Sequence, residues 1–434
     1  MKNLFISFLG TNCYVHARYQ IDEFISKPVR YVQEAMVEYL CRDWSAEDKI
    51  VVFATDGESG SYRLNWLDAK LCEDDPYAKE IEPKPKGLKE RLENLGIKPS
   101  IEVRIVPDGL EEKEIWKIIE ALYDEVQEKD RLYIDTTHSF RFIPMIVPAM
   151  ITFLKTTKNI ELHSIHYGAF EALGYIKETK KMPLEQRIAP VRELTEIYRM
   201  IEWSEAANAF LEYGDAKRLD RQVQKIEELS STTIAKLDTL KKDIFTIDEA
   251  LKYNNVSELR KLSESCLNID TKTYPQLFAL QKLSPKIEEY LSIWSDDEVC
   301  NALRAAQWCI KKDRYAQALT FAQEGLITYF CECFGWNADD WWYRGKVHLL
   351  IKISLGKRDK RVLQKYKRDK SAYENLKKAL DILSNIDIAT KENFRQLSIW
   401  RNTVSHANEG SREEIRNNLP RLIDYFMKIC KEMK

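Results

Sequence analysis

The stretch that most limits what this chain can become is Arg131 to Leu154, RLYIDTTHSFRFIPMIVPAMITFL. Leu132, Tyr133 and Ile134 form a short β-type apolar run. The chain then turns at once to Asp135-Thr136-Thr137-His138-Ser139-Phe140-Arg141, before an apolar, helix-length segment holding Pro144 and Pro148. A polar cluster between a buried strand and a helix start has two readings. Asp135, Thr136 and Thr137 can cap the helix, with His138 and Arg141 on a solvated rim. Alternatively the cluster is a site, because ligands dock at the carboxyl ends of strands in open α/β sheets and helix starts favour phosphate. His, Ser and Arg together exceed what a cap requires, which favours the site.

The text around this stretch alternates strand with helix. Asn3 to Leu9 reads as a buried strand that runs into Gly10-Thr11-Asn12, where a Gly lets backbone approach a ligand closely or simply makes a tight turn. Pro28 is expected to start a helix with Val29, Val32, Met36, Tyr39 and Leu40 at helical spacing, and Lys49 to Ala54 supplies the next strand. Thr55-Asp56-Gly57-Glu58 closes that strand, as a turn or as a second wall of the same pocket. Residues 73 to 87, rich in acids, Lys and Pro, read as an exposed connection. Ile101 to Val106 is a third strand, Leu110 to Gln127 a helix with Ile115, Ile118, Ile119 and Leu122 inward, and Ile160 to Tyr167 a fifth strand. Gly168 to Ile176 is expected to extend it as a hairpin. His163 and His166 are three apart on a strand and so face opposite sides, which argues for structural roles over a shared metal. Alternation of this kind means an α/β domain with a mostly parallel sheet covered on both faces, over residues 1–185.

After Pro183 the strand patterns give way to helical ones. Val191 to Tyr213 and the charged text that follows read as a helical connector, residues 186–288. From 289 to 434 an all-α domain is expected, with helices over Tyr290–Ile310, Tyr315–Phe334, Trp341–Leu355, Tyr373–Ile386 and Phe394–His406. Lys plus Arg is 67 against 69 acids, so any nucleic-acid contact must come from a local patch. The nine cysteines include no CxxC pair, and reduced buried thiols are expected rather than a zinc site. No secretory signal opens the text and Phe140 to Phe153 is too short to span a bilayer, so a cytoplasmic protein without a membrane partner is expected.

Near the end stands Trp400-Arg401-Asn402-Thr403-Val404-Ser405-His406, on a helix whose inner face is Phe394, Leu397, Trp400 and Val404. Ser411 and Glu414 are expected to form a capping box for the last helix. Arg and His at this spacing suit phosphodiester cleavage in RNA. A guanidinium holds the non-bridging oxygens as charge builds, and an imidazole titrating near neutrality moves the 2′-OH or leaving-group proton. A five-residue offset separates the two side chains by roughly 140° around one helix, so two copies related by a two-fold axis would complete one site. The bland alternative is an exposed Arg and a packed His. Lys357-Arg358-Asp359-Lys360-Arg361, followed by Lys365, Lys367, Arg368 and Lys370, is a basic concentration that either funnels a polynucleotide or forms a solvated face. Glu324 is a candidate polar neighbour of Arg401.

FLGTN, DTTHSFRFIP, FLEYGDAKRL and RNTVSH, in this order, give the chain a resemblance to the CRISPR-associated CARF–HEPN proteins, accessory ribonucleases of type III CRISPR systems. The resemblance implies a Rossmann-like sensor domain that dimerises around a cyclic oligoadenylate, with the tetra-adenylate preferred. It also implies a HEPN dimer that cuts single-stranded RNA without metal or other cofactor once the ring is bound. Carried over, Gly10, Thr11 and Asn12 match the first ligand loop and Thr136, Thr137, His138, Ser139, Phe140 and Arg141 the second, with Asp135 and Thr55 beside them. Arg401, Asn402 and His406 match the catalytic motif. Some relatives also degrade their own activator. A non-catalytic sensor whose helical domain binds a partner is the rival reading.

Overall fold

A computed structural model of the chain describes residues 1–434 except 71, 73–74, 79–83, 139–141, 227–229, 256, 262–273, 406–411 and 433–434. The chain divides into two compact units, Met1–Arg199 and Met200–Lys434.

The first unit is built on one sheet of β1 (Asn3–Leu9), β2 (Arg18–Ile21), β3 (Phe24–Ile25), β4 (Lys49–Thr55), β5 (Ser100–Val106), β6 (Arg131–Asp135), β7 (Glu161–Gly168) and β8 (Ile188–Glu193). Their order is β3-β2-β8-β7-β6-β1-β4-β5. β1 lies parallel between β4 and β6, and β5 and β7 extend the two sides in parallel. The cause is legible in β1 itself. Leu4, Ile6 and Phe8 enter one apolar core while Phe5 and Leu9 enter another, so neither face tolerates water. Helices α1 (Val32–Leu40) and α2 (Leu88–Glu93) cover one face, and α3 (Glu112–Glu125) and α4 (Ile143–Lys158) the other. The chain order reverses at β1 and β6, one strand run going outward through β4 and β5 and the other through β7.

Several expectations are corrected here. The first helix begins at Val32, because Val29 exchanges two backbone hydrogen bonds with Ala17 (3.0 and 2.9 Å) and is held extended. Gly168 to Ile176 contains a short 3-10 turn, Phe170–Leu173, and the strand that returns antiparallel to β7 is β8. Val191 therefore lies in a strand, and the helix expected from it starts at Thr195. Within the stretch expected to be an exposed connection, Asp75 is buried. Arg187 donates to the Asp75 carboxylate at 3.2 Å with both side chains fully buried, and a paired burial of this kind leaves no compositional trace. Cys13 and Cys72 form a disulfide with Cα atoms 5.4 Å apart, where reduced thiols were expected; Cys41, Cys300, Cys309, Cys331 and Cys430 are free and buried. The register of β7 shifts beside Leu132 and Tyr133, which adds a residue to the strand and defeats simple alternation. His163 stacks on Tyr133 at 4.2 Å, and both His163 Nδ1 and His166 Nε2 come within 3.3 and 2.9 Å of the Ser164 hydroxyl.

α5 (Thr195–Tyr213) begins in the first unit and continues into the second. The second unit then holds α6 (Ala216–Gln224), α7 (Ser231–Tyr253), α8 (Phe278–Ser292), α9 (Glu298–Lys311), α10 (Tyr315–Cys333), α11 (Trp341–Ser354), α12 (Lys370–Asn385), α13 (Ile388–Ser405) and α14 (Arg412–Glu432). The helix expected over Tyr290–Ile310 is two, because Asp297 caps a new start by accepting the Cys300 N–H at 3.0 Å. α13 likewise starts six residues before Phe394, where Asp387 accepts the Thr390 N–H at 2.7 Å. α9 and α10 cross closely at Gly325: a Cβ added there would sit 2.4 Å from the Ala302 Cβ. Gly325→Ala is therefore expected to lower stability by about 1–3 kcal/mol, read as a drop in the urea midpoint of the full chain. No described helix is long and apolar enough to cross a membrane.

Candidate functional site

The loops after β1, β4 and β6 meet where the strand order reverses. A cleft of about 250 Å³ is lined there by Gly10, Thr11, Asn12, Thr55, Thr137 and His138, with Phe8, Phe53, Val106, Ile118 and Ile143 as its apolar floor. Six of the sequence-derived sensor residues are thus brought together. Asp135 and Thr136 are not at the surface of this cleft but beneath it, at 0% and 8% exposure. Ser139, Phe140 and Arg141 lie outside the described residues.

Asp135 is a structural anchor. Its carboxylate accepts the Ser7 hydroxyl at 2.7 Å and the Thr137 N–H at 2.9 Å, and the Thr137 hydroxyl as well. The Thr137 hydroxyl oxygen accepts the Gly168 N–H at 2.7 Å, and Ser7 is held in turn by Gln33, whose amide also donates to the Phe8 carbonyl. Burial pushes the Asp135 carboxyl up, and the Thr137 and Ser7 hydrogen bonds oppose that shift. Thr55 spends its polar groups on Ser61, the two residues exchanging backbone N–H for side-chain oxygen at 2.8 Å in both directions.

Residues that the sequence reading passed over fix the first loop. Asn65, fully buried, donates to the carbonyls of Gly10 and Asn12 at 2.9 and 3.0 Å, and Lys70 donates to that of Thr11 at 3.1 Å. The Gly10 N–H donates to the Tyr14 hydroxyl, and a Cβ at Gly10 would lie 2.8 Å from that oxygen. Cys13 is tied to Cys72 by the disulfide. No local pattern marks Asn65, because the carbonyls it holds lie more than fifty residues away.

His138 packs its ring 4.4 Å from Tyr14, and its Nε2 is buried without a hydrogen-bond partner. Burial pushes the imidazole from its ordinary 6.5 down to about 4. The unfolded chain therefore binds a proton between about pH 6.5 and 4 that the folded chain refuses, so stability falls as pH falls through that window. Thermal unfolding of the chain is expected to show this acid-side loss, and His138→Ala to flatten it; an unchanged slope would remove His138 as its source.

In the helical unit the motif stands on α13. Phe394, Leu397 and Trp400 are buried as the spacing predicts and Val404 packs partly against the same core. Arg401 is half-buried and Asn402 exposed, and Arg401 makes no ion pair among the described residues. His406 and Ser411 lie outside the described residues. The expected Ser411–Glu414 capping box therefore lies outside the described residues; the Glu414 carboxylate accepts the Trp400 indole N–H at 3.2 Å and so pins α13 to α14. Glu324 is bound to Arg344 at 2.8 Å rather than to Arg401. His348 on α11 is within electrostatic reach of Arg401, and its pKa is lowered chiefly by burial and then by Lys352 and Arg401. It faces Ser398 on α13 at 3.3 Å and lies beside Phe394. In the basic run, Lys357 pairs with Glu392 and Arg361 with Asp359, which lowers its net field.

Comparison with known proteins agrees with the fold of the first unit. Residues 4–171 match the family "CRISPR system endoribonuclease Csx1, CARF domain", and residues 199–291 the second domain of CRISPR-associated protein MJ1674. The chain is 24% identical over 286 residues to CRISPR-associated protein MJ1674 of Methanocaldococcus jannaschii. That alignment covers 63% of this chain and 39% of the relative, so the chain spans well under half of the relative's length.

Proposed function

We propose that this chain, which carries a CRISPR-associated CARF domain at its N-terminus and a helical C-terminal part, is an endoribonuclease switched on by a cyclic oligoadenylate. The observation that carries the reading is the cleft at the reversal point of the sheet. It joins Gly10, Thr11 and Asn12 to Thr137 and an unpartnered His138 nitrogen, in a domain whose family is named for a CRISPR endoribonuclease. The ring, a cyclic tetra-adenylate, binds across a homodimer of sensor units. The RNA backbone is cut at a HEPN-type centre in which Arg401 of each copy steadies the developing phosphorane charge and His406 moves the 2′-OH and leaving-group protons, with Asn402 orienting the loop. This chemistry uses no metal. The ring acts only through its greater affinity for the arrangement in which the two motifs meet.

The test is cleavage of a fluorescent single-stranded RNA, with chelator present, with and without cyclic tetra-adenylate. Ring-dependent cleavage supports the reading, whereas ring binding without cleavage under any ring size leaves a sensor whose helical part acts on a partner. Recovery of linear adenylates from the ring would add activator degradation. Asn65→Ala is expected to raise the ring concentration for half-activation about tenfold or more, because the Gly10 and Asn12 carbonyls lose the amide that holds them.

A further inference from the structure

The helical unit holds two clefts that the Arg401 motif does not account for, and Arg314 connects them. The first, about 1070 Å³, opens beside Val404 of α13, between the start of α10 and the start of α14, and is lined by Arg314, Arg412 and Arg416 together with Tyr315. The second, about 640 Å³, lies among α5, α8, α9 and α14. Lys286, Arg304 and Lys311 line it beside Tyr290 and Trp308. The Arg314 guanidinium lies 5.3 Å from the Trp308 ring centre, so a wall of the first cleft touches a wall of the second. α9 and α14 run alongside one another between them, with Arg416 against Asp313 at one end and Gln307 donating to Asp424 further along.

Two properties of this seam point to a guest. Its six cations outnumber the lining carboxylates Asp313, Glu413 and Glu289, in a chain whose formal charge is −2. Lys286 and Lys311 have no ion-pair partner among the described residues. In addition, the Tyr290 hydroxyl and the Trp308 indole N–H are buried with no hydrogen-bond partner, and both belong to residues that line the second cleft. Cations alternating with aromatic rings suit a single strand, which offers phosphates to the one and base faces, base edges and ribose hydroxyls to the other.

We infer that single-stranded RNA runs from the Arg401 centre along the α9–α14 seam, its phosphates on Arg412, Arg416, Arg314, Lys311 and Lys286 and a base seated in the cleft of Trp308 and Tyr290. The inference rests on the nuclease reading for the position of the cleavage centre, and it assigns the strand's path to this seam rather than to the Lys357–Lys370 run.

The experiment measures binding rather than cleavage, in the Arg401→Ala chain with chelator present. Fluorescence anisotropy compares a 20-nucleotide and a 5-nucleotide RNA, with Lys286→Glu/Lys311→Glu added to one sample and Lys360→Glu/Lys367→Glu/Arg368→Glu to another. The first pair of changes is expected to weaken the 20-mer about tenfold or more, to weaken the 5-mer much less, and to make the log–log salt slope shallower by about 1.4. Unaltered circular dichroism establishes that both samples are folded. Undiminished 20-mer binding by the Lys286/Lys311 protein, a larger loss in the Lys360/Lys367/Arg368 protein, or no 20-mer binding at all would overturn the path. Because nothing is cleaved in this assay, failure of the nuclease reading shows separately, as absence of ring-dependent cleavage by the unmutated chain.

Discussion

Arg401→Ala is expected to lower ring-dependent RNA cleavage by about 10²–10³-fold while leaving the melting temperature almost unchanged. The split follows from where the side chain stands. Arg401 rides on a helix whose opposite face is locked by Phe394, Leu397 and Trp400, and it makes no ion pair among the described residues. Removing it therefore deletes a charge and little packing. A guanidinium left without a carboxylate partner is free to hold a phosphate, and in a charged transition state such a group contributes several kcal/mol that the ground state does not use. Arg401→Lys is expected to recover only part of the rate, since an ammonium keeps the charge but loses the two-pronged geometry. The measurement is single-turnover cleavage of labelled RNA at saturating ring. Full activity in Arg401→Ala would end the assignment of the motif, and a large fall in melting temperature would make Arg401 structural.

Asp135→Ala is the second large effect, expected to act through the proposed ring site rather than the proposed cleavage centre. Its buried carboxylate collects Ser7, the Thr137 N–H and the Thr137 hydroxyl, and through them ties β1, β6 and β7 to α1. Deleting it strands buried donors, at about 1–3 kcal/mol for each one left unmet, and frees the loop that carries Thr137 and His138. The expected outcome is a fall in stability of roughly 3 kcal/mol together with loss of ring binding by calorimetry. Asp135→Asn, which keeps one acceptor oxygen but turns an amide N–H₂ toward donors, is expected to fall between. Ring binding unchanged in a folded Asp135→Ala chain would separate the anchor from the site.

The same residues show where sequence reading reached and where it stopped. Gly10, Thr11, Asn12, Thr137 and His138 were legible because a polar cluster that follows an apolar strand is a local contrast, visible within ten residues. Asp135 was legible as part of that cluster, but its role was not: only its burial against Ser7, 128 residues away, turns a candidate ligand contact into an anchor. Asn65 and Lys70 were missed because they bond to carbonyls, which every residue has, so the partner's identity leaves no mark. Glu324 was read as a polar neighbour of Arg401, and its ion pair with Arg344 was not legible, because helical spacing gives the face of a helix and not the partner across it; Arg344 lies sixteen residues beyond the Thr328 hydroxyl it also binds.

The sequence by itself determined that strands apolar on both faces must be covered by helices, that a polar loop follows β6, and that the last part of the chain is helical. Those are consequences of periodicity, which depends only on neighbours along the chain. The tertiary structure alone decided that the loops of β1 and β6 share one cleft, that Arg187 is buried on Asp75, and that Cys13 meets Cys72. Each of these is a meeting of distant segments, set by how the cores close and not by any residue's immediate surroundings.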